Sequence, residues 1–355
     1  MSSRRLTLAV ALAASAAVVG VGAAAPSSAA SQPGGGPTTG SGTVFKVNPV
    51  QSSGDQSLSD QKDSAAAVPL SEYAVVELRN LDGSGNLVGA WANVRSTTGA
   101  AAYSATNSFH YQRDDDRFEQ VMAYFWVNEA QEYLQSLGFG STLRPVNMES
   151  QDVRIDQYGV DNSYSWDKHD FLRFGKGGVD DAEDAEVVVH EYGHAVHDAQ
   201  VPGFGATVDA GAIGESFGDY LAVTVGLDAA EDNGWPLAAP AACVMDWDAT
   251  SYTSTVPHCL RRLDRDLTVA DRRQAVHFDG QIWSRALWDI RAGYEAIGKT
   301  SEDWDRTLID SQFDYAPDTS WSEAARATYA KALAADGQRA VRVVNEAFAA
   351  RGITF

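Results

Sequence analysis

Apolar residues recur at helical spacing from Phe118 to Leu137, at Phe118, Val121, Met122, Phe125, Tyr133, Leu134 and Leu137, which predicts an amphipathic helix. Asp115 and Asp116 precede it, and Gly138 and Gly140 end it. Upstream, Ala74 to Leu78 and Leu87 to Trp91 are short β-prone runs separated by Asp82-Gly83-Ser84-Gly85-Asn86, a hairpin-type connection. The stretch from Val153 to Phe174 reads as strands and turns and runs into Gly175, Gly177 and Gly178. Beyond Asp184 the pattern turns helical: about 184 to 200, stopped by Pro202-Gly203; 211 to 225, ended near Gly226; and 278 to 292, ended near Gly293. Two more helices close the chain. Ser320 with Glu323 makes a capping box for the first, and Asp336-Gly337 separates it from the last. A β-rich half is therefore expected ahead of an α-helical half, joined near the Asp-rich run 180 to 184.

Composition changes this picture mainly at the N-terminal end. Arg4 and Arg5 precede an apolar stretch from Leu6 to about Ala25, and Ser28-Ala29-Ala30 offers small residues for cleavage, so residues 1–30 read as a secretory signal. The stretch is mostly Ala with Gly20 and Gly22, poor material for a membrane anchor. The Arg pair leaves Sec and twin-arginine export both open. Residues 31–67 begin SQPGGGPTTGSG and continue rich in Ser, Asp and Gln, so they are expected to be linker and irregular chain. The remaining boundaries fall at 68–183 for the β-rich part and 184–355 for the helical part. The protein is expected to be secreted and monomeric, without stable membrane association. Its two cysteines, Cys243 and Cys259, are expected to form a disulfide in an oxidising compartment. A net charge of -21 with only 27 basic residues argues against nucleic-acid binding, which needs a concentrated basic surface.

The chemistry is concentrated in His190-Glu191-Tyr192-Gly193-His194, an HExxH string inside the apolar run Val187 to Val196. On a helix the two histidines differ by about 40° around the axis and about 6 Å along it, so both imidazoles reach one zinc ion. Glu191 is placed to act on a water held there. Zinc needs a third protein ligand. His197 lies about 10 Å along the axis from His190, too far for one metal to span, and is expected outside the ligand set or on the surface. His197 and Gln200 also stand where the metzincin extension requires Gly and His.

The string HEYGHAVHD, the later AGAIGESFGDY and Val276-His277-Phe278-Asp279-Gly280-Gln281-Ile282-Trp283 together resemble the gluzincin peptidases, and fungalysins most closely. The resemblance implies a thermolysin-like α+β fold with the active-site cleft between its two halves. It implies Glu215 as third zinc ligand, Glu191 as general base, and His277 as hydrogen-bond donor to the oxyanion. Asp219, four residues after Glu215, is then placed to accept the spare ring N–H of His190. Asn162-Ser163-Tyr164 corresponds to the edge strand that aligns an extended peptide substrate. Arg261 or Arg262 corresponds to the arginine that holds a substrate carbonyl. The acidic run Asp180, Asp181, Glu183, Asp184 and Glu186 reads as charge favoured at a helix N-terminus, with calcium binding as the alternative.

Two rival classes remain to be weighed. Gly214-Glu215-Ser216-Phe217-Gly218 is a GxSxG string, but the nucleophilic Ser216 that it implies must follow a hydrophobic strand, and residues 207 to 213 read TVDAGAI. A zinc-binding homologue without turnover is the other. The resemblance favours a secreted zinc metalloendopeptidase acting on peptide or protein substrates.

Overall fold

A computed structural model of the chain describes residues 38–95, 99–156, 159–166 and 171–355. The expected signal, residues 1–30, lies outside the described residues. Strand β1 (Thr38–Phe45) pairs antiparallel with β2 (Tyr73–Leu81) from Thr38 opposite Leu81 to Phe45 opposite Tyr73, and β4 (Ser108–Phe109) flanks β1 in parallel. The expected linker 31–67 is therefore corrected: beyond residue 37 it contributes a central strand and the short helix α1 (Pro49–Ser53). Small and polar residues from Thr38 to Thr43 conceal the strand, whose anchors Val44 and Phe45 are fully buried. The Leu87 to Trp91 run forms only isolated bridges, such as Gly89 to Leu81, and is not the ladder partner of β2.

A second sheet has the order β3 (Ala92–Val94), β5 (Gln151–Arg154), β7 (Phe171–Arg173), β6 (Tyr164–Trp166), with β6 antiparallel on one edge. Helix α2 (Arg117–Ser136) packs against both sheets and is buried on nearly every side, Trp126 included. Phe118 meets Phe45 edge-on with ring centroids 4.7 Å apart.

The helical half comprises α3 (Ala185–Gln200), α4 (Val208–Asn233), α5 (Val276–Ala296), α6 (Ser301–Gln312) and α7 (Trp321–Ala350). Gly337 breaks α7 with a left-handed φ of 80°, where Asp336-Gly337 was expected to separate two helices. Ser320 and Glu323 form the expected capping box. Helix α3 crosses α4 at two glycines: a Cβ on Gly193 would stand 3.0 Å from the Gly218 Cα, and a Cβ on Gly218 would stand 2.6 Å from the His190 ring. The architecture is α+β and thermolysin-like. Among the described residues no helix is long and apolar enough to cross a membrane.

Buried polar ties hold the halves together. The Tyr133 hydroxyl of α2 and the Tyr220 hydroxyl of α4 both donate to the buried Asp305 of α6 at 2.5 Å. Arg113, with no exposed side-chain surface, donates through Nη2 to Glu183 at 2.8 Å and to Asp60 at 2.6 Å, which pins the loop ahead of α3.

Cys243 and Cys259 are bridged. Cys243 lies on β8 (Cys243–Val244), which pairs with β9 (Arg261–Arg262), so the bridge secures the strand that carries Arg261. With the two positions separated by 16 in sequence, the chain-entropy model gives about 3 kcal/mol of stabilisation. Reduction is expected to lower the melting temperature by several degrees, and a thiol titration of the denatured, unreduced chain should find none free.

Candidate active site

Helix α3 begins at Asp184, whose carboxylate caps the helix by accepting from the Glu186 N–H at 2.9 Å. Its next turns bring His190 and His194 to the floor of a cleft of about 390 Å³ lined also by Asn162, Tyr164, Glu191, Glu215 and His277. Their Nε2 atoms face each other at 3.2 Å. Helix α4, capped by Thr207, aims Glu215 at the same point, 3.4 Å from His190 Nε2 and 3.6 Å from His194 Nε2.

These separations test whether an ion fits. A tetrahedral zinc with bonds of about 2.0 to 2.1 Å spaces its ligand atoms about 3.3 Å apart, the spacing of the His190, His194 and Glu215 atoms. Glu215 Oε2 is buried and makes no hydrogen bond among the described residues, leaving a lone pair for a cation. The tautomer agrees: Asp219 Oδ1 stands 2.9 Å from His190 Nδ1, so that nitrogen carries the proton and Nε2 is a free donor to metal.

Asp219 is held by Arg261, which reaches it through Nε at 2.7 Å and Nη2 at 2.6 Å, a bidentate pair. Arg262 instead pairs with Asp264, which singles out Arg261 as the arginine facing the centre. Arg261 lines the second part of the cleft with Asn162, Ser163, His190, Glu191 and His277.

Electrostatics follow from burial. Burial pushes the Glu191 carboxyl up to about 7, against the opposing pull of His190. His194 is pushed down to about 4 by burial. Burial also disfavours a charged His190, but its hydrogen bond to Asp219 and the adjacent Glu215 carboxylate outweigh this and raise the ring to about 9. Burial opposes ionisation of Glu215, yet the adjacent His190 and His194 imidazoles hold it well below the ordinary carboxylate range. Asp219 is likewise lowered, because Arg261 overcomes its desolvation.

The remaining expected residues are distributed as follows. His277, in the first turn of α5, stands at the rim with 66% of its side chain exposed and Nε2 3.2 Å from Glu215. Tyr164 opens edge strand β6, whereas Asn162 and Ser163 precede the strand, and the Ser163 hydroxyl donates to Asp181. Tyr164 accepts from Arg173.

The surface reading of His197 needs correction: it is 1% exposed, with its ring 4.5 Å from those of both Phe204 and Phe217, it lines the same cleft as the ligand histidines, and burial pushes it down to about 3. Phe204 follows the turn after α3 and Phe217 lies on α4, so helical spacing within α3 could not place it. Of the acidic run, Asp184 and Glu186 do stand at a helix N-terminus, as the cap and in the first turn of α3, and Asp180, Asp181, Glu183, Asp184 and Glu186 are all buried. Glu183 pairs with Arg113, and Glu186 accepts from the Met245 N–H. Ser216 is buried within α4, with its hydroxyl unpartnered among the described residues, and no strand-to-helix elbow surrounds it.

Comparison with known proteins agrees with this geometry. Residues 156–314 match the family of fungalysin metallopeptidases (M36). The solved structure of the precursor of protealysin, a metalloproteinase from Serratia proteamaculans, is similar in fold with a TM-score of 0.53 at 19% identity, over 73% of this chain and 85% of that one. No curated protein matches in sequence. Over residues 156–314 the chain is similar to fungalysin metallopeptidases, and its fold is similar to that of the protealysin precursor.

Proposed function

We propose that this chain is a secreted zinc metalloendopeptidase of the gluzincin type, with His190, His194 and Glu215 holding the ion. The observation that carries the reading is the spacing of those three ligand atoms, at 3.2, 3.4 and 3.6 Å, with Glu191 beside them in the cleft. Zinc bound there would polarise the substrate carbonyl and lower the pKa of water. Glu191 takes the proton from the attacking water and returns it to the leaving amine. His277, at the exposed rim, donates to the carbonyl oxygen as it gains negative charge. Edge strand β6 with Asn162 holds the peptide extended by strand addition. Asp219 fixes the ring of His190, and Arg261 both anchors Asp219 and faces the substrate carbonyl. The apolar N-terminal stretch supports export, and the chain acts as a monomer.

The chelator 1,10-phenanthroline should abolish digestion of an unfolded protein substrate, zinc should restore it, and a serine-directed reagent should do nothing. Inhibition by the serine reagent alone overturns the reading. The export proposal is tested separately, by N-terminal sequencing of the protein recovered outside the producing cells.

A further inference from the structure

Away from the cleft, three carboxylates from separate parts of the chain converge in the interior. Glu119 lies in the first turn of α2, Asp156 two residues beyond β5, and Asp180 ten residues ahead of His190. They are 1%, 7% and 2% exposed. Each offers an oxygen to a set whose members lie within 4.8 Å of one another. Five of their six carboxylate oxygens, both of Glu119, both of Asp156 and Oδ1 of Asp180, are buried and hydrogen-bond to nothing among the described residues.

Such an arrangement is unfavourable as it stands. A buried polar atom without a partner costs roughly 1 to 3 kcal/mol, more when charged, and like charges at this range repel. The nearby cations do not resolve it. The ammonium of Lys176 is 2.8 Å from Asp116 but 3.7 Å from Asp180 Oδ2, and Arg113 is committed to Glu183 and Asp60. What fits three carboxylate oxygens, one from each residue, within 4.8 Å of one another is a cation between them, since calcium bonds oxygen at about 2.3 to 2.6 Å and opposed ligands then stand roughly 4.6 to 5.2 Å apart. A set of carboxylates with no histidine or cysteine suits a hard cation better than zinc, whose sites usually include nitrogen or sulfur. Magnesium keeps several waters, for which this buried site leaves little room.

We propose that Glu119, Asp156 and Asp180 form a buried binding site for a hard divalent cation, calcium by ligand type. The ion ties α2 and the β5 sheet to the loop that leads into α3, and so braces the helix that carries HEYGH. Its role is independent of whether the cleft turns over peptide.

The test uses the full mature chain carrying Glu191→Gln, loaded with zinc so that self-digestion is excluded and the cleft is constant. After passage over chelating resin and restoration of zinc, calcium chloride at millimolar concentration is expected to raise the melting temperature by about 5 °C or more. Magnesium should do less. Adding Glu119→Gln should remove one bound calcium per chain and most of that rise, while without calcium the same substitution should raise the melting temperature by relieving repulsion. The opposite signs distinguish an ion site from a merely packed carboxylate. An unchanged melting temperature with calcium, or a rise that survives Glu119→Gln in full, overturns the proposal. Where that variant does not fold, a terbium soak of crystals of the Glu191→Gln chain decides: an anomalous peak among the three carboxylates supports the site, and its absence there overturns it.

Discussion

Glu191→Gln is expected to retain its zinc and to lose turnover by about 10²-fold to 10⁴-fold, the range for removal of a general base. The amide keeps the shape of the carboxyl but cannot take the proton from water. Glu215→Gln is expected to behave in the reverse sense. It replaces an anionic ligand with a neutral amide, so zinc affinity should fall by at least about 100-fold and activity should recover in part when zinc is added. Metal content by elemental analysis, measured beside kcat on one peptide, separates the two. A Glu191→Gln chain without zinc, paired with a Glu215→Gln chain that holds zinc and remains active, would reverse the assignment of base and ligand.

The helices that carry those two residues were legible because helices declare themselves locally, whereas the part proposed for Glu215 came from the resemblance. HExxH places two rings on one face whatever surrounds them, and the caps at Thr207 and Ser320 follow short-range rules. Contacts made over long separations were not legible. Asp219 was expected to reach His190 from i+4 geometry, but its pairing with Arg261, 42 residues on, depends on β8 and β9 forming. The burial of His197 was missed because its ring packs, tilted, against Phe204 beyond the end of α3 and Phe217 on α4. Helix α6 went unseen because its apolar set is thin, with only Trp304, Leu308 and Ile309 among polar residues, although the Thr300 and Asp303 capping box was a usable signal. Strand β1 was hidden by small residues that favour linker readings. The acidic run carried the least legible information of all: the charges could be counted, but whether they faced water, Arg113 or one another was decided only by the packing of α2 and the β5 sheet against them.

Gly218→Ala is expected to empty the zinc site without touching a ligand. The added Cβ would stand 2.6 Å from His190 Nδ1 and 2.9 Å from its Cε1, inside van der Waals contact with a ring that cannot retreat, because Asp219 holds the same nitrogen at 2.9 Å. Either α4 moves away from α3, which carries Glu215 with it, or the His190 ring rotates and gives up Asp219. Overpacking of this kind costs typically 1 to 3 kcal/mol, and loss of the group that orients a histidine ligand weakens metal about 10-fold to 100-fold. Gly226, two turns further along the same helix, supplies the control: a Cβ there meets Val47 at 3.4 and 3.7 Å, an ordinary contact. Gly226→Ala should therefore keep zinc and activity and stabilise the chain by up to about 1 kcal/mol, as alanine does in a helix interior. The pair asks whether closeness of α3 to α4 at one point, rather than helix flexibility in general, builds the metal site. Equal zinc content in the two variants, measured at limiting zinc, would show that Gly218 has no such role.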